Sequence, residues 1–176
     1  MAWGSKRIAG VTYDLKHLDP YVINVTPTVA EAPTYRVGVM FGCHTFTRDL
    51  TAADKPDLHF KNGGETRCFC VDRHALSLGL PTLVSGAAVA GQRAFFTELR
   101  HNFLLLDGSY GAAGPYVVIF KLERARKPHL DVAMFVVSAY LKPNLPPKLP
   151  ATTFATLIAT VAAGKTIQVP TSKTKR

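Results

Sequence analysis

With 176 residues, 47% hydrophobic and 19% charged, the chain is long enough for one domain with a proper core and too apolar to be intrinsically disordered. An excess of 21 Lys and Arg over 12 Asp and Glu gives a net charge of +9, which favours phosphate-rich or acidic partners. The three cysteines, Cys43, Cys68 and Cys70, make an odd set with two on one short stretch, which argues against a disulfide framework and suits a reducing cytoplasm.

The first 33 residues are broken by Gly4, Gly10, Pro20, Pro27 and Pro33 and are expected to form an irregular arm, with one edge strand at Tyr21–Thr26. Lys6 and Arg7 are followed by no long apolar run, so neither a signal peptide nor a membrane span is expected. Tyr35–Thr47 reads as a strand with Val37, Val39, Phe41, Cys43 and Thr45 on one face and Met40, His44 and Phe46 on the other. Asn62-Gly63-Gly64 then predicts a hairpin between 57–61 and 65–72. A three-residue loop would face Lys61 with Glu65, and a two-residue loop would shift that register by one.

Pro81 near a first turn and Gly91 past the end predict a helix over Leu80–Val89, with a second helical piece over Gln92–Arg100. Asn102–Asp107 returns to strand character, and Gly108–Pro115 is a loop flexible enough to cover a site. Tyr116–Arg124 and Val132–Lys142 predict the longest hairpin, joined by a basic turn. Simple alternation puts Ala133, Phe135, Val137, Ala139 and Leu141 on one face of its second strand, and Val132, Met134, Val136, Ser138, Tyr140 and Lys142 on the other. After the proline-rich stretch 143–150, Thr152 or Thr153 caps a helix with Phe154, Leu157, Ile158 and Val161 on one stripe, ended by Gly164. Ile167–Val169 is expected as a last edge strand before a basic tail at 170–176. The sum is an α+β protein, a mostly antiparallel sheet of about five to seven strands with two or three packed helices, in a single domain over 34–169.

Three groups can carry chemistry. His44, at the end of an apolar strand beside Phe46 and Arg48, has the near-neutral pKa class that suits proton transfer; the plainer alternative is a rim histidine bonded to backbone. Arg67 and Arg73, read on one strand face with Phe69 and Val71, suit phosphate clamping, against a structural ion pair with Asp72. Ser138, Tyr140 and Lys142 form a row of positioning groups. Together they make a kit for metal-independent RNA cleavage, and equally for holding a phosphate without cleaving it. No cofactor or metal is expected: Cys68-x-Cys70, even with His74 and Cys43, lacks the usual zinc-ligand spacing.

The series Cys43-His-Thr-Phe-Thr, Gly63-Gly-Glu-x-Arg67-x-Phe69, Arg73-His-x-Leu-Ser77, Asn102-Phe103 and Ser138-Ala-Tyr140 resembles a family of uncharacterised bacterial and mobile-element products, some labelled heat-shock-C-like or stationary-phase growth adaptation protein. The final hairpin, with its Ser-Ala-Tyr ending, is more loosely similar to the closing strands of barnase, colicin and RelE-type ribonuclease folds. These resemblances imply a small cytoplasmic factor of a prophage, plasmid or defence locus. The expectation is therefore a basic protein acting on RNA, a toxin-type ribonuclease with His44, Arg67, Arg73 and Tyr140 as catalytic residues and Phe46, Arg48, Ser138 and Lys142 as substrate-binding residues. The alternative is a non-enzymatic binder of single-stranded nucleic acid or of an acidic protein partner.

Overall fold

The computed structural model describes residues 2–29, 31–89, 91–97, 103–146 and 148–169. Its centre is a seven-stranded mixed sheet in the order β12-β8-β9-β10-β11-β4-β3, formed by Ala151–Thr153, Arg93–Phe96, Phe103–Asp107, Tyr116–Arg124, Val132–Leu141, Tyr35–His44 and Tyr21–Val25. Every neighbour pair is antiparallel except β11 with β4, so the sheet is mostly antiparallel, as the hairpin pattern predicts. Two helices, α2 (Leu80–Val89) and α3 (Phe154–Ala162), pack on one face. A third, α1 (Val71–Ser77), sits at the end of β11.

The core lies between the sheet and α2 and α3. Val37, Val39, Val132, Met134, Val136, Val118 and Phe120 are fully buried there, facing Phe154 and Ile158 of α3. Each such side chain contributes roughly 1.5–3 kcal/mol relative to leaving it in water. Thr153 caps α3, its hydroxyl accepting from the Thr156 amide at 3.1 Å, and Gly164 closes it with φ +67°. Among the described residues no helix is long and apolar enough to cross a membrane.

The structure departs from the expected elements in five places. The N-terminal stretch is ordered: β1 (Ser5–Ile8) and β2 (Val11–Asp14) form a hairpin whose turn residues Ala9 and Gly10 both have positive φ, and Trp3, Leu15 and Leu18 are buried. Of the two loop lengths left open, Gly63–Gly64 takes the two-residue one, with Asn62 opposite Glu65 and Lys61 opposite Thr66, between β6 (His59–Asn62) and β7 (Glu65–Phe69). β7 stops at Phe69, and Asp72, Arg73 and His74 lie on α1, so Arg67 and Arg73 do not share a strand face. Residues 93–96 are the strand β8 and not a helix, because they pair with β9 and β12; 98–102 lie outside the described residues. Ile167–Val169 forms no strand, and the tail 170–176 lies outside the described residues.

The fifth departure concerns side-chain direction. A bulge at Val137 breaks the alternation of β11: Val136 pairs with Phe120, but Ser138 pairs with Ile119. Ala139 and Leu141 therefore join Val132, Met134 and Val136 on the core face, opposite Val118 and Tyr116, while Ser138 and Tyr140 point to the outer face.

Candidate functional site around His44

His44 is the last residue of β4, and alternation puts it on the outer face with Gly38, Met40 and Gly42, because Val37, Val39, Phe41 and Cys43 are buried on the other. Its Nε2 lies 2.9 and 3.0 Å from the two carboxylate oxygens of Glu65. Glu65 opens β7 just after the two-glycine turn, and that turn brings its hairpin against the end of β4. Hydrogen bonds from His44 and then Arg67 hold the Glu65 carboxyl below its ordinary range. Arg67 is buried, donating from Nη1 to Glu65 at 2.9 Å and to Asp49 at 2.8 Å, and from Nε to Thr47 Oγ1 at 2.8 Å. Its charge is thus matched by two carboxylates of the protein itself. Thr47, in β5 (Thr47–Arg48), donates its own hydroxyl to the Cys43 carbonyl at 2.7 Å.

Arg73 reaches the same corner from α1. Its Nη1 donates to the carbonyls of His44 at 3.2 Å and Thr47 at 2.7 Å, and its guanidinium stacks on the Tyr140 ring, 5.2 Å from the centroid. Ser138 Oγ donates to the His44 carbonyl at 3.4 Å. His44, Arg67, Arg73, Ser138 and Tyr140 therefore meet at one end of β4 and β11, although they come from four elements.

The remaining expected residues stand apart from that corner in role or in place. Phe46 is not available to stack on a base: it is fully buried between Trp3 and Phe60, both 5.1 Å away by ring centroid. The turn that follows β4, with Thr45 N bonded to Gly42 O and Phe46 N to Cys43 O, rotates its ring inward. Arg48 makes a two-pronged ion pair with Asp54, which holds that carboxyl far below the usual carboxylate range. Lys142 lies on the wall of a cavity beside Tyr140.

Sequence reasoning left Glu65, Asp49 and Asn62 out of the site. The signal for Glu65 was present, since residues two apart on a strand share a face and Glu65 precedes Arg67 by two. The cysteines also regroup. Cys68 and Cys70 do not converge with His74, whose ring packs against Tyr13, His17 and Phe69. Cys43 Sγ instead accepts from Asn62 Nδ2 at 3.4 Å, and ligand atoms of Cys43, His44 and Glu65 lie within 4.8 Å of one another, a sulfur, nitrogen and oxygen set that suits a borderline-soft cation. Burial pushes the Cys43 thiol up, so it rests as the uncharged thiol.

A family model described as the YjaZ family matches residues 5–162, which is most of the chain. The chain belongs to the YjaZ family. No curated protein and no solved structure matches it. The match supports membership of an uncharacterised bacterial family and adds nothing to the heat-shock-C-like label or to the likeness with barnase, colicin and RelE-type folds. The matched span takes in the N-terminal hairpin, the His44 corner and α3 alike.

Proposed function

We propose that this protein binds single-stranded RNA on the outer face of its sheet. The observation that carries the reading is the neighbourhood of Phe135. It is 40% exposed and lies in register between Lys121 and Met40, itself 38% exposed. Beside it a hollow of about 340 Å³ is rimmed by Arg124, Arg126, Lys127 and His129. Among the described residues none of these four side chains forms an ion pair, and Arg124, Arg126 and Lys127 outnumber Glu123, the one acid on the same wall, which leaves positive charge for a polyanion. An aromatic ring among uncompensated cations suits an unpaired base stacked on the ring and phosphates tracked by the charges.

Cleavage is a second reading, and the His44–Glu65 hydrogen bond favours it, because that pair stands on the same face of β4 as Met40, roughly 13 Å along the strand. Retention of labelled RNA oligomers measured from 50 to 200 mM salt, with the RNA recovered and sized afterwards, tests both. Binding is expected to fall steeply with salt; Phe135→Ala should weaken it about tenfold, and Arg126→Ala with Lys127→Ala should reduce the slope by roughly one to two. Shortened RNA that stays whole with His44→Ala would establish cleavage. If no RNA is retained at low salt, the cationic face serves an acidic protein instead.

A further inference from the structure

The chain between β11 and β12 crosses the outer face of the sheet as a strap, tied at one end by Lys142 N to the Pro115 carbonyl at 3.0 Å and at the other by Phe96 N to the Pro150 carbonyl at 2.9 Å. Leu104, Val117 and Ile119 lie beneath it, Leu104 and Val117 being buried although they stand outside the main core. Strap and sheet do not close on each other. Between these three side chains and Leu145 and Leu149 of the strap lies a cavity of about 580 Å³, well inside the range of roughly 300–1,000 Å³ of pockets that enclose small organic ligands. The recess is open to solvent on one side and mostly apolar within, so it can seat the apolar part of a ligand whose polar end stays near water.

Two charged groups stand on its wall, Lys142 and Lys148, and both are positive. Among the described residues neither forms an ion pair. We propose that this cavity binds a single-chain amphiphile with a carboxylate head, its hydrocarbon tail between strap and sheet and its head between the two ammonium groups. The walls are mostly aliphatic, with Phe96 and Tyr140 as the aromatic members, and offer a nucleobase few hydrogen-bonding partners, which separates this site from the RNA surface. Lysines hold a simple anion as point charges, whereas forked recognition of phosphate favours arginine, and the nearby Arg73 spends Nη1 on two carbonyls and its face on Tyr140.

Calorimetry on the full chain with octanoate, decanoate and dodecanoate, each below its micelle concentration, tests the assignment. One site per chain is expected, tightening about fourfold per added methylene. Lys142→Ala with Lys148→Ala should weaken dodecanoate at least tenfold while leaving dodecanol binding unchanged, and Ile119→Trp, which fills the space, should abolish both. Lys148 is exposed and Lys142 half-buried, and near-ultraviolet dichroism checks that the lysine variants and Ile119→Trp fold. Equal affinity for dodecanoate and dodecanol in the native chain, tighter binding of dodecyl phosphate, or uptake that survives all three substitutions would overturn it. So would the absence of saturable binding.

Discussion

His44 and Arg67 are joined through a single carboxylate oxygen: Oε1 of Glu65 lies 2.9 Å from His44 Nε2 and 2.9 Å from Arg67 Nη1. The two partners of its Glu65–Arg67 link differ in burial. Glu65 is 44% exposed, whereas the Arg67 side chain is 8% exposed. Exposed ion pairs contribute little, but a buried guanidinium that loses its hydrogen bonds leaves its partners stranded.

Arg67→Met is therefore expected to lower the free energy of unfolding by about 2 kcal/mol, and Glu65→Gln by less than about 1 kcal/mol, measured by urea denaturation at pH 7. Glu65 also sets a sign with pH. Its folded-state pKa lies below the ordinary 4.5, so its contribution is complete above that value and is lost as pH falls through the lower folded-state value. Glu65→Gln should flatten the acid limb of the stability profile.

His17 gives a second pH dependence, at higher pH. Burial, and then the charge of neighbouring His74, lower its pKa below 6.5, against the opposing pull of Asp14 and Asp19. Ser77 donates its hydroxyl proton to the His74 carbonyl at 2.7 Å, so His17 Nε2 is the donor in its 2.8 Å bond to Ser77 Oγ. The unfolded chain takes up this proton first. Stability is fully present above pH 6.5 and falls as pH drops from there through the folded-state value, and denaturation at pH 8 and pH 5.5 should show His17→Gln reducing that difference.

Two glycines separate backbone strain from ligand effects. Gly114 has φ +82° and a Cβ there would meet Pro143 Cα at 2.5 Å, so Gly114→Ala is expected to cost on the order of 3 kcal/mol and to loosen the strap. At Gly42 a Cβ would meet the tip of the Phe135 ring at 3.0 Å and the Val137 carbonyl at 3.2 Å. Gly42→Ala should cost about 1 kcal/mol in thermal denaturation and weaken RNA retention by displacing the ring.

Thr153→Ala removes the cap of α3 and should lower stability by about 1 kcal/mol, with Thr153→Asp restoring most of it, as followed by denaturant midpoint.

Much of the sheet was legible because it obeys simple periods. β4, β10 and β11 are long apolar runs, and α3 shows one stripe at helical spacing, with its cap and terminal glycine in place. Local signals failed where a competing one was stronger. The Ala9–Gly10 turn lacks the Asn or Asp that marks a tight hairpin, which hid β1 and β2. Cys68-Phe-Cys-Val71 looks like continuing strand, yet Cys70 leads into α1, so Arg73 arrives at the His44 corner by a different route. The parallel pairing of β11 with β4 joins residues about 95 apart, Val132 with Val37 among them, and carries no local signature at all. In the site, His44, Arg67, Arg73 and Tyr140 were visible as residue types; the carboxylates that engage them were not, because which acid reaches which base is settled by tertiary contact.

Val137 works on β11 as an inserted letter works on a reading frame. Upstream of it nothing changes; downstream every side chain swaps sides. Were Val137 taken up into the regular ladder instead of bulging, Tyr140 and Lys142 would turn toward the hydrocarbon interior and Ala139 and Leu141 toward water, so the chemistry available at this rim depends on a position that itself carries no functional group.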